Sequence, residues 1–247
     1  MARFEGRIAV ITGGAKGIGE SIVRKFYAEG AKIGIIDVNG AGAQQLALEL
    51  DPSGDKAMGL GCNIVNRAEV KAAFQGITGK FGTVDILVNN AGITRDAIFH
   101  KMTEQQWDDV IAVNGKGLFN CTQEAWLIMK AQKYGKICNL SSTNSSGEAG
   151  QANYAFTKAG IIAVTKSLAR EGGRYNISVN CVRPGVIDTE MMRAVPEHVL
   201  EDLVGKTAFK RMGNPSEVAD AIAYLCSEEA SWVTGEELLV AGGYMYR

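Results

Sequence analysis

The chain has 247 residues, 46% hydrophobic and 21% charged, with 26 basic side chains set against 27 acidic ones. That length buries one sizeable core, and the composition excludes a disordered chain. A net charge of -1 argues against an electrostatic nucleic-acid or membrane surface, and no apolar run approaches the ~18 residues needed to span a bilayer.

Apolar strands alternate with helical segments along the chain. Met1 to Gly6 is charged and lacks the apolar core of a signal peptide, so a cytoplasmic protein is expected. Arg7–Thr12 reads as a first strand, followed by helical periodicity from Gly17 to about Ala28. Lys32–Asp37 reads as a second strand, Ala43–Leu50 as helix and Met58–Cys62 as extended chain. Ala68–Gly79 is helical, and Val84–Val88 is a fourth strand. A long helical stretch runs from Thr103 to about Gln132, then a fifth strand, Lys136–Leu140, and a polar loop, 141–151. The helix bearing Tyr154 follows, then strands at Ile177–Val182 and Glu237–Val240. The alternation predicts an α/β fold: one domain over 1–247, a doubly wound parallel sheet with helices on both faces. The mixed pattern at 188–213 is expected to form a partly helical, mobile substrate flap. Five cysteines, at 62, 121, 138, 181 and 226, show no Cys-x-x-Cys spacing and read as buried reduced thiols. His100 and His198 stand in no ligand pattern, so no metal is expected.

Tyr154 and Lys158 are four residues apart on a predicted helix, which puts both side chains on one face. A phenol in water keeps its proton to about pH 10, and a neighbouring ammonium lowers that value. The pair is therefore a means of making a general acid/base from tyrosine. The first strand ends in Thr12-Gly13-Gly14-Ala15-Lys16-Gly17-Ile18-Gly19 and leads into a helix. Glycines there let the backbone approach a pyrophosphate, and the helix presents its N-terminal amides to the anion. The second strand ends at Asp37, whose carboxylate can accept from both ribose hydroxyls of an adenosine and would repel a 2′-phosphate. Lys16 pulls the other way, as a cation for a 2′-phosphate. With more weight on Asp37, NAD(H) is expected in preference to NADP(H).

These motifs, with Asn89-Asn90-Ala91-Gly92, Asn114, the serine pair 141–142 and Pro184-Gly185-x-Ile187-x-Thr189, give a clear resemblance over nearly the whole chain. The sequence resembles a classical short-chain dehydrogenase/reductase, built on a Rossmann fold. Within that family the stretches 90–96 and 150–154 are most similar to bacterial 3-oxoacyl-thioester reductases. The resemblance implies Tyr154 as proton donor and acceptor, Lys158 as the group that lowers its pKa and binds the nicotinamide ribose, and Asn114 as anchor of a proton-relay water. A serine would hydrogen-bond the substrate oxygen. Strand register points to Ser142, and the family's usual spacing to Ser141. Because a register slip turns every strand side chain over, Ser142 is preferred. Gly13, Lys16, Gly17, Ile18 and Gly19 would hold the pyrophosphate side of the cofactor. Asn63 and Ile64 would flank the adenine, with Asn63 standing where aspartate is common. Asn90, Ala91 and Gly92 would line the adenosine-ribose side, Ile187 and Thr189 would meet the nicotinamide amide, and Pro184 and Gly185 would shape the turn beneath it.

The implied activity is interconversion of a ketone and a secondary alcohol with a nicotinamide cofactor. The substrate would be a small carbonyl or alcohol, an acyl thioester among the candidates. Relatives of that kind dock an acidic carrier protein on basic residues. Lys133 and Arg174 lie near the matching stretches, but Tyr175 stands where a base is expected. Two alternatives stay open: an NAD-dependent secondary-alcohol or 3-hydroxyacyl dehydrogenase, and a non-catalytic NAD-sensing module. The family's homotetramer is expected here too. Phe119, Trp126, Ile128 and Phe156 supply apolar residues on more than one face of the long helices.

Overall fold

A computed structural model describes residues 2–193 and 195–244, with the side chain of Met191 left aside. The elements in chain order are β1 (Ile8–Thr12), α1 (Gly17–Ala28), β2 (Lys32–Asp37), α2 (Gly40–Leu50), β3 (Ala57–Gly61), α3 (Arg67–Phe81) and β4 (Ile86–Asn89). Then come α4 (Glu104–Val110), a π-helical stretch (Ile111–Gly117), α5 (Leu118–Gln132), β5 (Gly135–Leu140) and α6 (Ala152–Gly172). The chain continues through β6 (Ile177–Pro184), α7 (Glu190–Arg193), α8 (Glu197–Gly205), α9 (Pro215–Leu225) and β7 (Glu237–Val240).

All seven strands join one parallel sheet in the order β3-β2-β1-β4-β5-β6-β7. The order reverses between β1 and β4, where Thr12 pairs with Asn89. Loops leaving these two strands part to opposite sides, which opens a crevice beyond their carboxyl ends. The doubly wound architecture expected from the alternation is the one observed.

Apolar residues fill both faces of the sheet, as a parallel sheet under helices requires. Ala9 and Ile11 of β1 pack with Ile22, Val23 and Phe26 of α1 and with Val218 and Ile222 of α9. Ile8 and Val10 face the other way, onto Phe74 and Ile77 of α3 and Cys121 and Met129 of α5. Successive residues of one strand thus anchor opposite layers. Each of these Val, Ile, Phe and Met side chains contributes roughly 1.5–3 kcal/mol on burial. All five cysteines are buried free thiols.

Two local features differ from the sequence reading. The stretch from 103 to 132 is not uniformly α-helical: seven residues, Ile111–Gly117, widen into π turns. Its start is firmly set, since Gln106 N donates to Thr103 Oγ1 at 3.2 Å and Thr103 N to Gln106 Oε1 at 2.9 Å. Second, α9 was not among the expected elements. Pro215 occupies its first turn, Glu217 accepts from Asn214 N at 2.7 Å, and Val218, Ala219, Ile222 and Ala223 form a buried stripe against α1. The 188–213 segment holds two short helices, α7 and α8, in keeping with the partly helical pattern expected there. Among the described residues no helix is long and apolar enough to cross a membrane.

Candidate active site

The glycine loop lies at the mouth of the crevice. Gly13 and Gly17 have φ of 62° and 59°, a left-handed conformation that side chains disfavour. A Cβ on Gly19 would fall 1.9 Å from Gly13 O, so α1 can start this close to β1 only with glycine there. Asn90 fixes the loop from β4: its Nδ2 donates to Thr12 O at 3.0 Å and Gly13 O at 2.8 Å. Thr12 Oγ1 in turn accepts from Asn90 N and Ala91 N, each at 3.1 Å. Asp37 braces the same loop, Oδ2 accepting from Ala15 N at 3.0 Å and Oδ1 from Asn39 N at 2.9 Å. Lys16 is exposed and pairs with Glu190 of α7 at 2.9 Å, each raising or holding the charge of the other. The cradle of glycines, open amides and helix N-terminus fits a dinucleotide pyrophosphate.

Tyr154 and Lys158 stand one turn apart near the start of α6, at the end of β5. Lys158 is buried, and its Nζ donates to Leu140 O at 2.7 Å. The ammonium lies 5.5 Å from the centroid of the Tyr154 ring. Burial pulls the lysine pKa down to about 8. Burial also raises the Tyr154 pKa; a hydrogen bond with Ser142 works against this and the charge of Asp96 works with it. The expectation that Lys158 lowers the phenol pKa is thus not met in this structure, where desolvation dominates. The phenol is an acid at neutral pH.

The two serines face apart. Ser141 is buried and its Oγ donates to Lys158 O at 2.7 Å, tying β5 to α6. Ser142 hydrogen-bonds Tyr154 and accepts from Asn144 N at 3.1 Å. Alternation along the strand brings the Ser142 hydroxyl, not that of Ser141, to the phenol.

Asn114 sits in the middle of the π stretch and is buried. Wide turns of this kind recur at functional sites because they redirect one side chain. Here Asn114 Oδ1 accepts from Ile93 N at 2.9 Å, and Nδ2 donates to Ile93 O at 3.0 Å and Thr157 Oγ1 at 3.2 Å. A Cβ on Gly92 would lie 3.2 Å from Asn114 Oδ1 and 3.5 Å from Lys158 Nζ. Gly92, Asn114 and Lys158 therefore border one space.

The remaining expected cofactor residues ring the crevice unevenly. Asn63 is exposed, and its Oδ1 accepts from Val65 N at 3.0 Å. Ile64 is buried and packs on Gly117 of the π stretch. Gly185 follows β6 and packs on Ala241, and Pro184 pairs with Val240 of β7. Ile187 is buried against Gly213. Thr189 reaches the glycine loop, its Cγ2 standing 3.8 Å from where a Gly17 Cβ would be.

Several supporting residues escaped the sequence reading. Beneath the site Asn89 Nδ2 donates to Asn139 Oδ1 and Thr122 Oγ1 at 2.8 and 2.9 Å, and Asn139 Nδ2 to Thr165 Oγ1 at 2.9 Å. Arg183 clamps the turn after Ser142, donating to Ser142 O and Thr143 O, each at 3.2 Å, and pairing with Glu237 at 2.5 Å. Asparagines inside apolar strands, and an arginine at the end of one, were the available signals, because buried polar groups need partners.

A family model described as enoyl-(acyl carrier protein) reductase matches residues 13–245. Among curated proteins, the chain is 40% identical over 241 residues to a 3-oxoacyl-[acyl-carrier-protein] reductase of Vibrio cholerae, covering 97% of this chain and 98% of that one. The enzyme of the same name from Thermotoga maritima is 41% identical over 242 residues, 98% of each chain. That of Staphylococcus aureus is 41% identical over 240 residues, covering 95% and 96%. These relatives overturn the cofactor expectation: reductases of this kind depend on NADPH, which points to NADP(H) and not NAD(H). In the structure Asp37 Oδ2 accepts from Ala15 N of the glycine loop and Oδ1 from Asn39 N, while Lys16 places a cation at the loop's rim. With its sheet, its motifs and these relatives, the chain belongs to the short-chain dehydrogenase/reductase family and is an NAD(P)-dependent oxidoreductase interconverting carbonyl and CH–OH groups.

Proposed function

We propose that the protein reduces a 3-oxoacyl thioester to its 3-hydroxy counterpart with NADPH, and that Tyr154 is the proton donor. The observation that carries this reading is the buried Lys158, held by Leu140 O with its ammonium 5.5 Å from the Tyr154 ring centroid, on the side of the phenol that Ser142 also reaches. When bound, the nicotinamide supplies the hydride. The chain supplies the proton and the place for the developing oxyanion. Ser142 donates to the substrate oxygen, as an oxyanion-hole donor does. Tyr154 is protonated at neutral pH, the form a reduction needs in its acid. Lys158 and Asn114 restore that proton from solvent, and Lys158 also takes the nicotinamide ribose. Gly13, Lys16, Gly17, Ile18 and Gly19 hold the phosphates. Asn63, Ile64 and the 90–92 turn take the adenosine side, and 184–189 the nicotinamide side.

A carrier-borne substrate has support from charge. Lys130 Nζ lies 5.2 Å and Arg174 Cζ 4.8 Å from the centroid of the Tyr175 ring. Tyr175 therefore does not empty this face of positive charge; it is flanked by two cations suited to an acidic carrier protein. The oxidative alternative, a secondary-alcohol or 3-hydroxyacyl dehydrogenase, drew on Asp37 as a ribose ligand and falls back with it. The non-catalytic alternative is set aside by the family's oxidoreductase activity.

The segment 188–213 serves as the substrate flap, latched to the glycine loop by Lys16 and Glu190. The protein assembles as a homotetramer through α5 and α6. Phe119 and Leu127 of α5 and Phe156 and Val164 of α6 are exposed, whereas Trp126 and Ile128 pack on the core and take no part. A solution mass at micromolar concentration tests the assembly, with an active monomer the contrary result. For the activity, NADPH consumption is followed with 3-oxoacyl thioesters, free 3-oxo acids and simple ketones. Turnover highest with the thioesters supports the reading; turnover only with unrelated ketones rejects it.

A further inference from the structure

The two stretches that carry the thioester-reductase resemblance, 90–96 and 150–154, meet in space. Ala97 N donates to Gly150 O at 2.9 Å, and Asn153 Nδ2 to Arg95 O at 3.0 Å. From this junction a line of polar contacts runs to Ser142. Gln151 Nε2 donates to Asp96 Oδ2 at 2.8 Å. Asn144 Nδ2 donates to Gln151 Oε1 at 2.8 Å. The backbone N–H of Asn144 donates to Ser142 Oγ at 3.1 Å.

Chemistry sets the direction of this line. An ionised carboxylate only accepts. Asp96 therefore turns the amide nitrogen of Gln151 toward itself, which leaves the Gln151 oxygen facing Asn144. Asn144 must then donate, and this fixes the turn in which its backbone N–H meets Ser142. At the far end Ser142 Oγ accepts, so its own proton is left to donate. Gln151 is also the N-cap residue of α6, yet its side chain makes no capping bond. Glutamine is not among the favoured caps. A local rule broken beside a reacting group marks function over helix stability.

We propose that Asp96 and Gln151 are positioning residues which, through Asn144, hold Ser142 as a hydrogen-bond donor to the substrate oxygen. This rests on the role given to Ser142 above. Asp96 itself is exposed at the protein surface, so its removal leaves no buried orphan. Its effect should appear in turnover before it appears in stability.

The test is a charge swap. Asp96→Ala frees the Gln151 amide and should lower kcat about tenfold, the scale of one charge-assisted hydrogen bond. Gln151→Glu sets carboxylate against carboxylate and should cost at least as much. Combining Asp96→Asn with Gln151→Glu restores the contact, because the new amide at 96 donates to the new carboxylate at 151, which still accepts from Asn144. The combined variant should recover kcat to within about threefold of the parent, a coupling that independent sites do not show. The KM for NADPH should stay constant across the series, because the glycine loop lies elsewhere. Ser142→Ala is measured alongside. If Ser142→Ala loses turnover while Asp96→Ala does not, or the combined variant is no better than Gln151→Glu alone, the positioning role is overturned and the Ser142 reading stands. Full turnover in Ser142→Ala would overturn both.

Discussion

The Lys158 ammonium lies over the Tyr154 ring, 5.5 Å from its centroid, and donates to Leu140 O at 2.7 Å. The two groups share one pocket, and desolvation moves them in opposite directions: the phenol up, the lysine down to about 8. The proton that leaves first as pH rises is therefore the lysine's. Because kcat/KM reports groups of the free enzyme, reductive kcat/KM for NADPH should fall as pH rises through about 8. A profile that stays level until the phenol itself ionises would contradict this order.

The same lysine bears on stability. Its pKa is lower in the folded chain, about 8, than the ordinary 10.5. Below about 8 both states carry the proton, and the folded state bears the full cost of a buried ammonium. As pH rises above that value the folded lysine becomes neutral, and the cost is gone once the unfolded one does so too. Lys158→Met should therefore abolish turnover yet raise Tm at neutral pH, by a few degrees or ~1–2 kcal/mol. That gain should shrink as the pH approaches about 10. Thermal melts across the pH range check it, and a lower Tm at neutral pH would show that the bond to Leu140 outweighs the burial.

Ser141 and Ser142 separate by the period of a strand. Ser142→Ala removes the hydroxyl that meets Tyr154 and should cost ~2.7–4 kcal/mol of transition-state stabilisation, about 10²–10³ in kcat. Ser141→Ala removes only a bond to the Lys158 carbonyl, which α6 also engages, and should cost much less. Side-by-side kcat values decide, and a larger loss at Ser141 would reverse the assignment.

Lys16 is an exposed cation of the glycine loop, and Glu190 neutralises it. Lys16→Ala should raise the KM for NADPH more than that for NADH. Glu190→Ala should lower the KM for NADPH, within about fivefold, since an exposed ion pair is worth at most ~1 kcal/mol. Equal effects on the two cofactors would remove Lys16 from 2′-phosphate recognition.

The sheet was legible because a parallel strand buried on both faces leaves an uninterrupted apolar run, as in Ile8 to Ile11. The glycine loop and the Tyr154–Lys158 pair were legible because backbone conformation and helical spacing constrain residue type. The π stretch around Asn114 was not, since a widened turn changes no residue's polarity. Nor was α9, whose stripe is short and follows the mixed 188–213 pattern; its Asn214, Pro215 and Glu217 were the available start signal. Asp37 was misjudged for a different reason. Its place at the strand end is the one a ribose ligand would have, but the same carboxylate also serves within the protein, accepting from Ala15 N and Asn39 N, and nothing local in the sequence shows that use. The line from Asp96 to Ser142 joins residues 46 positions apart in number, and nothing local announces it.

Tyr154→Phe is the decisive variant for the proton donor, because it removes one oxygen atom and leaves the ring, Lys158 and the glycine loop in place. With a 3-oxoacyl thioester as substrate, NADPH oxidation is followed by absorbance, and NADPH binding is measured separately by fluorescence titration. Turnover should vanish while the Kd for NADPH stays within about twofold of the parent. NADPH oxidation persisting at a rate near the parent's, with the cofactor bound as before, would contradict it.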